Sequence, residues 1–306
     1  MGLHEALMMW QKLFMKKQSK FENRKPPPTN LKSADQKKEF AKKNRETSYT
    51  VSAAPSSTPR APLIYGVLPI LEALRAETRK IEKIFVVEGA NENRLSNVLS
   101  LARQNGILFQ TISRDKLSNF VEENVNHQGI IAFVASAEYF DADKLLDKIS
   151  NKEHSLSVIL DGVEDPRNLG AILRVVECVG ADGVFIPERR AVGLTETVAK
   201  SSAGAAEYVK VAKVANLNRL IEKLKENNVW VVGTSADATM NYDDWDWKQS
   251  TALVLGGEGK GLHRLVAEKC DVLVKIPLHG KIESLNVSVA AGVILFEAVK
   301  QRRMLN

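Results

Sequence analysis

The C-terminal stretch from Ile276 to Arg303 constrains the fold of this chain more than any other. A β-branched run that ends at Ile276 predicts a buried strand, which Pro277 and Gly280 interrupt before a polar turn at residues 283–286. The long helix that follows has apolar residues on nearly every side: Leu285, Val289, Val293, Ile294, Leu295 and Phe296. Because such a helix has no face for solvent, we expect a sheet to cover one side and a partner subunit the other. The polar turn then lies at the carboxyl end of a strand, where α/β proteins bind ligands.

The composition is that of a folded protein of moderate size. A chain of 306 residues with 44% hydrophobic residues is long enough for two domains, each with its own core. The two cysteines, Cys178 and Cys270, provide neither a disulfide framework nor a cluster of metal ligands, which indicates a reducing compartment. No apolar run is long enough to span a bilayer. We therefore expect a cytoplasmic protein, with a mitochondrial or other organellar location as the alternative.

The positive charge of the chain is concentrated at its N-terminus. Residues 1–60 contain 13 Lys/Arg and 5 Asp/Glu, whereas the remaining residues contain 30 and 32. Since this segment is also rich in Pro, Ser, Asn and Gln, residues 1–61 are predicted to be a basic and mostly disordered extension. It is either an arm that adds salt-dependent affinity for RNA or a solvated extension without a role.

A small α/β domain is predicted over residues 62–137. Helical patterns at 70–75, 95–102 and 117–121 alternate with strand patterns, which lie at 83–87, 107–112 and 129–134. Gly106 is predicted to end the second helix as its C-cap. The alternation favours a mixed or parallel sheet. The charged residues 138–154 are interpreted as a linker.

A second α/β domain is predicted over residues 155–306, with strands at 157–160, 183–187, 229–233 and 251–255 and a helix at 217–227. The helix that follows its first strand has an apolar face, and Arg174 falls roughly 150° from the centre of that face. Its side chain is therefore expected to point to solvent or to a cleft. The glycine-rich loop at 256–261 matches neither the P-loop nor the GxGxxG spacing of dinucleotide-binding loops. Its glycines still allow a ligand to approach the backbone beside Glu258.

Three stretches resemble the motifs of the SpoU/TrmH family of RNA 2′-O-ribose methyltransferases. They are DPRNLGAILRVVECVGADGV (165–184), LVLGGEGKGL (253–262) and IPLHGKIESLNVSVAAGVILFEAV (276–299). YGVLPILEALRA (65–76) and HQGIIAFV (127–134) resemble the N-terminal substrate-binding domain of the same family. This two-domain form is most similar to bacterial enzymes that methylate a guanosine of the large-subunit (23S-type) ribosomal RNA.

The resemblance implies a SPOUT fold, in which a parallel sheet carries a C-terminal trefoil knot. Knots are otherwise nearly absent from proteins. It also implies S-adenosylmethionine as the methyl donor, bound in the knot without a metal, and a homodimer formed through the C-terminal domain. The implied catalytic residues are Asn168, Arg174, Glu258, Ser284 and Asn286. The implied cofactor-binding positions, acting through backbone groups, are Thr234, Gly257, Ile276, Leu278 and Leu285.

Several of these residues have two interpretations. Arg174 is either the base or activator of the family or, since a guanidinium stays protonated, a clamp on the neighbouring phosphate. Asn168 positions Arg174 or the substrate, or it caps its helix. Glu258 fixes Asn168 or the polar end of the ligand, or it is a solvated loop residue. Ser284 and Asn286 hold the turn over the donor, cap the last helix, or do both.

The RNA contacts and the substrate also remain open. Lys260, His263, Arg264 and Lys281 either meet RNA phosphates or form a solvated surface, and His127 and Gln128 either touch RNA or form a turn. No histidine or cysteine lies in a motif that would make it a base. The sequence therefore predicts a large-subunit rRNA methyltransferase. The alternatives are a tRNA guanosine methyltransferase and a non-catalytic RNA-binding assembly factor.

Overall fold

The computed structural model describes residues 61–122 and 125–303. The predicted basic extension at residues 1–60 lies outside the described residues. None of the helices described is both long and apolar enough to cross a membrane.

The first domain is built on a four-stranded mixed sheet, which confirms the predicted sheet type. Its strands are β1 (Leu63–Tyr65), β2 (Ile81–Val87), β3 (Phe109–Ile112) and β4 (Ile130–Val134), in the order β1–β4–β2–β3. Strand β4 is antiparallel to β1 and β2, and β3 is parallel to β2. Its helices are α1 (Val67–Ala76), α2 (Glu92–Gln104) and α3 (Arg114–Ser118). Helices α1 and α2 pack on one face of the sheet and α3 on the other.

Two predicted elements of this domain are displaced. Strand β3 begins at Phe109 and not at Ile107, and helix α3 ends at Ser118 although a helix was predicted over 117–121. Leu117 is the buried residue of α3, so one apolar side chain in the last turn anchors a helix whose other residues are polar. The C-cap of α2 is Asn105, and Gly106 follows it with φ 67°, the left-handed conformation in which a glycine commonly ends a helix.

The second domain contains a seven-stranded sheet in which every pairing is parallel. The strands are β5 (Leu156–Asp161), β6 (Gly183–Pro187), β7 (Val211–Val214), β8 (Trp230–Thr234), β9 (Met240–Asn241), β10 (Thr251–Gly256) and β11 (Val272–Lys275). Their order is β7–β6–β5–β10–β8–β11–β9. The predicted parallel sheet is therefore confirmed.

Helices cover both faces of this sheet. They are α4 (Ala142–Ser150), α5 (Pro166–Cys178), α6 (Glu196–Ser201), α7 (Leu217–Glu226), α8 (Arg264–Lys269) and α9 (Val287–Arg302). Alternate residues of β5 show the arrangement, since Val158 and Leu160 pack with α5, α6 and α9 while Ile159 packs with α4, α7 and α8. Strands that are buried on both faces have near-continuous apolar sequences, which is why β5, β6, β8 and β10 lie where strands were predicted. Strands β7 and β9 were not predicted.

The predicted linker at 138–154 is wrong. Helix α4 occupies most of it, and Leu145, Leu146 and Ile149 are buried in the core of the second domain. Asp141 caps the helix by accepting a 2.8 Å hydrogen bond from the Lys144 amide. Because only one narrow stripe of this helix is apolar, the many charges on its other sides gave the segment the composition of a linker.

Helix α9 is covered on one side only. Val287, Ala291, Ile294, Leu295 and Ala298 are buried against the sheet and α5. The opposite side is apolar and exposed, with Val289 and Phe296 51% and 52% accessible. The part of the prediction that concerns the sheet is confirmed, and the partner subunit stays a prediction.

Side chains from α6 and the following turn join the two domains. Ala199 of α6 is buried in the core of the first domain, next to α1 and β1. Glu207 forms a buried ion pair with Arg79 and accepts a 2.9 Å hydrogen bond from the Thr78 hydroxyl. The first domain is therefore held against the carboxyl-terminal half of the chain by apolar contact and by a buried charge pair.

Candidate active site

The loops that follow β5 and β10 lie side by side. These strands are neighbours in register, with Gly256 opposite Asp161, and the Gly257 amide donates a 2.8 Å hydrogen bond to the Asp161 carbonyl. A Cβ atom on Gly257 would lie 2.1 Å from the carbonyl oxygen of Gly162. The glycine at this position is thus required by the approach of two loops of the protein itself, where the sequence had indicated the approach of a ligand.

Three of the five predicted catalytic residues meet at this junction. The Asn168 side-chain amide donates a 2.6 Å hydrogen bond to Oε1 of Glu258. The Asn286 amide donates 2.9 Å bonds to the same Oε1 atom and to Oδ1 of Asn168. Each pair of residues in this triangle is therefore hydrogen-bonded, and the expected contact between Glu258 and Asn168 is confirmed.

The capping of α5 and α9 determines which side chains of the triangle are also used by a helix. The N-cap of α5 is Asp165, whose carboxylate accepts from the Arg167 amide at 2.7 Å. The interpretation of Asn168 as a helix cap is therefore wrong, and its amide is available to Glu258. Asn286 does cap α9, since its Oδ1 atom accepts from the Ser288 amide at 3.0 Å while its Nδ2 group joins the triangle. One side chain thus serves both the helix and the site.

A pocket of about 480 Å³ opens beside the triangle. Asn168, Glu258 and Val287 line it together with residues from the loops after β5, β6 and β10. These are Asp161, Gly162, Val163, Glu164, Asp165, Arg190, Gly257, Lys260, Gly261 and His263. A concave site with both carboxylates and cations on its wall is suited to a polar ligand such as a nucleotide.

Arg174 and Ser284 are not brought to this pocket. Both side chains are exposed, and neither donates or accepts a hydrogen bond within the described part of the chain. The prediction that Arg174 points away from the core of its own domain is confirmed by this exposure. Its predicted role, and that of Ser284, stay predictions.

The predicted cofactor positions lie on the loops after three adjacent strands. The Thr234 hydroxyl, at the end of β8, donates to the Val254 carbonyl at 3.2 Å, so only its backbone groups are available to a ligand. In the segment after β11, Leu278 and Leu285 are 40% and 41% accessible. None of the amides of residues 278–285 donates a hydrogen bond to another described residue. Exposed apolar side chains beside unpaired backbone donors fit an adenosine. Ile276 lies just before this segment, and Gly257 lies in the loop after β10.

His127 and Gln128, for which contact with RNA and a turn were the two interpretations, form a turn. His127 is buried, and its Nδ1 atom accepts from the Gly129 amide at 3.1 Å. Gln128 has φ 57° and accepts from the Val67 amide at 2.9 Å. Burial lowers the pKa of His127, and the charges of Arg114 and Lys200 lower it further. The turn interpretation is therefore the one that the hydrogen bonds support.

Sequence reasoning missed the pair formed by His263 and Asp161. The imidazole Nδ1 atom lies 2.8 Å from Oδ1 of Asp161, and the His263 amide donates to Oδ2 at 2.7 Å. These residues are 102 positions apart, and neither lies in a local pattern that indicates the contact. Only the pairing of β5 with β10 brings them together.

Comparison with known proteins identifies the family. Residues 155–296 match the SpoU rRNA methylase family, and residues 63–140 match the RNA 2′-O ribose methyltransferase substrate-binding family. A Bacillus subtilis protein assigned to the TrmH family of tRNA/rRNA methyltransferases is 45% identical over 240 residues, which are 78% of this chain and 95% of that protein. The chain belongs to the SpoU/TrmH family of RNA methyltransferases. The predicted family is thus confirmed.

Solved SpoU/TrmH structures share the fold. The SpoU methyltransferase AviRb from Streptomyces viridochromogenes, in complex with the cofactor AdoMet (S-adenosylmethionine), is 26% identical with a TM-score of 0.67 over 79% of this chain and 90% of that chain. An AdoMet-bound rRNA methyltransferase from Sinorhizobium meliloti is 26% identical with a TM-score of 0.65 over 81% and 88%. The predicted SPOUT architecture is therefore confirmed, and the trefoil knot remains an expectation from the family.

Proposed function

We propose that this SpoU/TrmH protein transfers a methyl group from S-adenosylmethionine to the ribose 2′-hydroxyl of a guanosine in large-subunit ribosomal RNA. The observation that carries the proposal is the triangle of Asn168, Glu258 and Asn286, of which Asn168 and Glu258 line the pocket. It joins the three family motifs in one site. The match of residues 63–140 to an RNA substrate-binding family supports an RNA substrate, and the two-domain form favours ribosomal RNA.

The cofactor fits the loops after β8, β10 and β11. The amides of residues 278–285, which donate to no other described residue, and the exposed Leu278 and Leu285 provide contacts for the adenosine. Glu258 places a carboxylate among the same loops, which is electrostatically suited to a sulfonium. The cofactor, when bound, supplies an electrophilic methyl group that needs no metal.

The residues of the triangle hold the site rigid. Two amide donors on one oxygen of Glu258 fix the direction of its carboxylate, and charge-assisted bonds of this kind are strong. Arg174 acts as a clamp for the phosphate next to the target ribose, because its planar guanidinium binds phosphate in a bidentate manner. It is not the proton acceptor, since a guanidinium has no lone pair to offer.

A homodimer completes the enzyme. The exposed apolar side of α9 lies next to α5, since a Cβ atom on Gly292 would lie 3.9 Å from Val175. A partner that covers α9 therefore also approaches Arg174, the neighbour of Val175. Burial of several large apolar side chains is the usual driving force for such an interface. The bacterial relatives are consistent with action in the cytoplasm.

Transfer RNA is the second candidate substrate, because the relatives are named for tRNA as well as rRNA. Mapping of ribose methylation in total RNA, in a strain without the gene and in the same strain complemented, distinguishes the two. We expect loss of one guanosine methylation in large-subunit rRNA and its return on complementation. Loss of a tRNA methylation would show that tRNA, and not rRNA, is the substrate. An unchanged methylation pattern would favour the assembly factor without catalysis.

Calorimetry with S-adenosylmethionine tests the cofactor separately. We expect binding that persists in excess chelator, as the site needs no metal. A protein that binds RNA tightly and shows no heat with the donor would contradict the proposed reaction.

A further inference from the structure

His263 is held at the pocket by a buried carboxylate. Asp161 is 4% exposed at the end of β5, and it binds both the amide and the Nδ1 atom of His263. The imidazole itself is half-exposed, with 56% of the side chain accessible. Its Cε1 edge rests on Gly162, 3.4 Å from where a Cβ atom would be. The ring is therefore oriented by contacts on one edge and open on the other.

The hydrogen bond to Asp161 selects the tautomer. A carboxylate only accepts hydrogen bonds, so the proton of a neutral imidazole lies on Nδ1 and the lone pair on Nε2. Among the described residues, none forms a hydrogen bond with Nε2, and the side chain is 56% accessible. The arrangement therefore presents a free proton acceptor at the wall of the pocket. A carboxylate that fixes the tautomer of a catalytic imidazole has the same role in the serine protease triad.

The reaction requires a proton acceptor. The 2′-hydroxyl must lose a proton as its oxygen gains the methyl group, and Arg174 cannot accept it while it stays charged. His263 lines the same pocket as Asn168 and Glu258. The other charged groups that line this pocket are Asp161, Glu164, Asp165, Arg190, Glu258 and Lys260. Of these lining groups, the imidazole is the one that offers an uncharged nitrogen lone pair to a hydroxyl proton.

We propose that His263, oriented by Asp161, is the general base that accepts the 2′-hydroxyl proton; this inference rests on the proposed function. As the ribose oxygen forms its bond to the methyl carbon, the bond from that carbon to sulfur breaks and its electron pair stays on sulfur. The hydroxyl proton moves to Nε2, which gives an imidazolium beside the Asp161 carboxylate. The exposed ring then returns the proton to solvent.

His263→Gln tests the proposal, because glutamine keeps a polar side chain but accepts no proton at neutral pH. We expect kcat for methyl transfer to fall by about a hundredfold or more, the usual range for removal of a general base. The pH profile of the rate should differ between the wild type and the variant, because the variant lacks the proton acceptor. Binding of S-adenosylmethionine and of RNA should be unchanged.

His154→Gln is the matched control. Its imidazole is also partly exposed, but its Nδ1 atom contacts the Lys248 carbonyl. This contact lies at the amino ends of β5 and β10, whereas the pocket lies at their carboxyl ends. We expect this variant to keep the wild-type rate and pH profile. Failure of the wild-type protein to methylate any RNA would count against the proposed function. Near-wild-type turnover by His263→Gln would overturn only the proposal that His263 is the general base.

Nitrogen NMR of the ¹⁵N-histidine-labelled protein gives a readout that does not depend on activity. We expect the signals of His263 to show the Nδ1–H tautomer in the wild type at neutral pH. Asp161→Asn, if folded by circular dichroism, should lose that preference because an amide can also donate. Observation of the Nε2–H tautomer in the wild type would overturn the proposal even if Asp161→Asn does not fold.

Discussion

Glu258 accepts a 2.6 Å hydrogen bond from Asn168, although the two residues are 90 positions apart in the chain. Asn168 lies in the first turn of α5 and Glu258 in the loop after β10. The same carboxylate oxygen also accepts from Asn286, the N-cap of α9. One atom therefore ties together the three segments from which the site is built.

Glu258→Gln should fold but transfer methyl groups slowly. Glutamine keeps an oxygen that can accept both amide bonds, but it loses the negative charge. Hydrogen bonds to a charged group contribute about 1.5–3 kcal/mol, against about 0.5–1.5 kcal/mol for neutral partners. We expect kcat/KM to fall about tenfold or more and binding of S-adenosylmethionine to weaken. Glu226→Gln, which changes an exposed carboxylate at the end of α7 and away from the pocket, is the control. Equal activity of both variants would contradict the role of Glu258.

Arg174→Lys should be inactive although it keeps the charge. The side chain is exposed, so the change should alter the free energy of unfolding by no more than about 0.5 kcal/mol. An ammonium cannot reproduce the planar, bidentate grip of a guanidinium, and misplacement by about an ångström costs on the order of a hundredfold in rate. Single-turnover assays on ribosomal RNA measure the loss. Arg219→Lys, exposed on α7, should behave as wild type, and comparable rates for the two variants would leave Arg174 with an electrostatic role only.

Phe296→Asp should convert the proposed dimer to a monomer. Phe296 is 52% accessible on the uncovered side of α9, and a partner could cover it only by desolvating the new charge. Light scattering after size-exclusion chromatography measures the mass. Leu108→Asp is the control, because Leu108 is 74% accessible on the first domain and should not affect assembly. A monomeric wild-type protein, or a dimer that survives Phe296→Asp, would place the interface elsewhere.

Glu207→Gln should destabilise the protein strongly. The side chains of Glu207 and Arg79 are 3% and 9% exposed, so loss of the carboxylate leaves a buried guanidinium uncompensated. Breaking such a pair costs about 3–5 kcal/mol in the free energy of unfolding. Glu222→Gln removes a pair with Lys269 that is exposed to solvent, and it should cost no more than about 1 kcal/mol. Urea denaturation compares the two, and equal midpoints would mean that Arg79 finds another partner.

Removal of residues 1–58 should weaken RNA binding in a salt-dependent way. This segment carries most of the excess positive charge of the chain, and each phosphate contact adds to the slope of log affinity against log salt. We expect a lower affinity, a flatter slope and unchanged binding of S-adenosylmethionine. An unaltered slope would show that the extension does not contact phosphate.

The local patterns of the sequence predicted most of the second domain. Its central strands are buried on both faces, so each is a continuous apolar run that no other element resembles. Short elements and elements with one narrow apolar face were not predicted. Strand β1 has only three residues, and α4 has a narrow apolar stripe among charged residues. The motifs placed Asn168, Glu258 and Asn286 in the site. They did not show that Asp165, and not Asn168, caps α5.

The sequence by itself determined the alternation of strands and helices, the family and the residues that its motifs carry. It did so because apolar periodicity, caps and turns act over a few residues of the chain. The tertiary structure decided which distant side chains meet, above all His263 with Asp161 and Glu258 with both asparagines. These contacts depend on the order of the strands, which sets β10 beside β5 in register. Strand order follows from the packing of the whole core, and no local stretch of the chain encodes it.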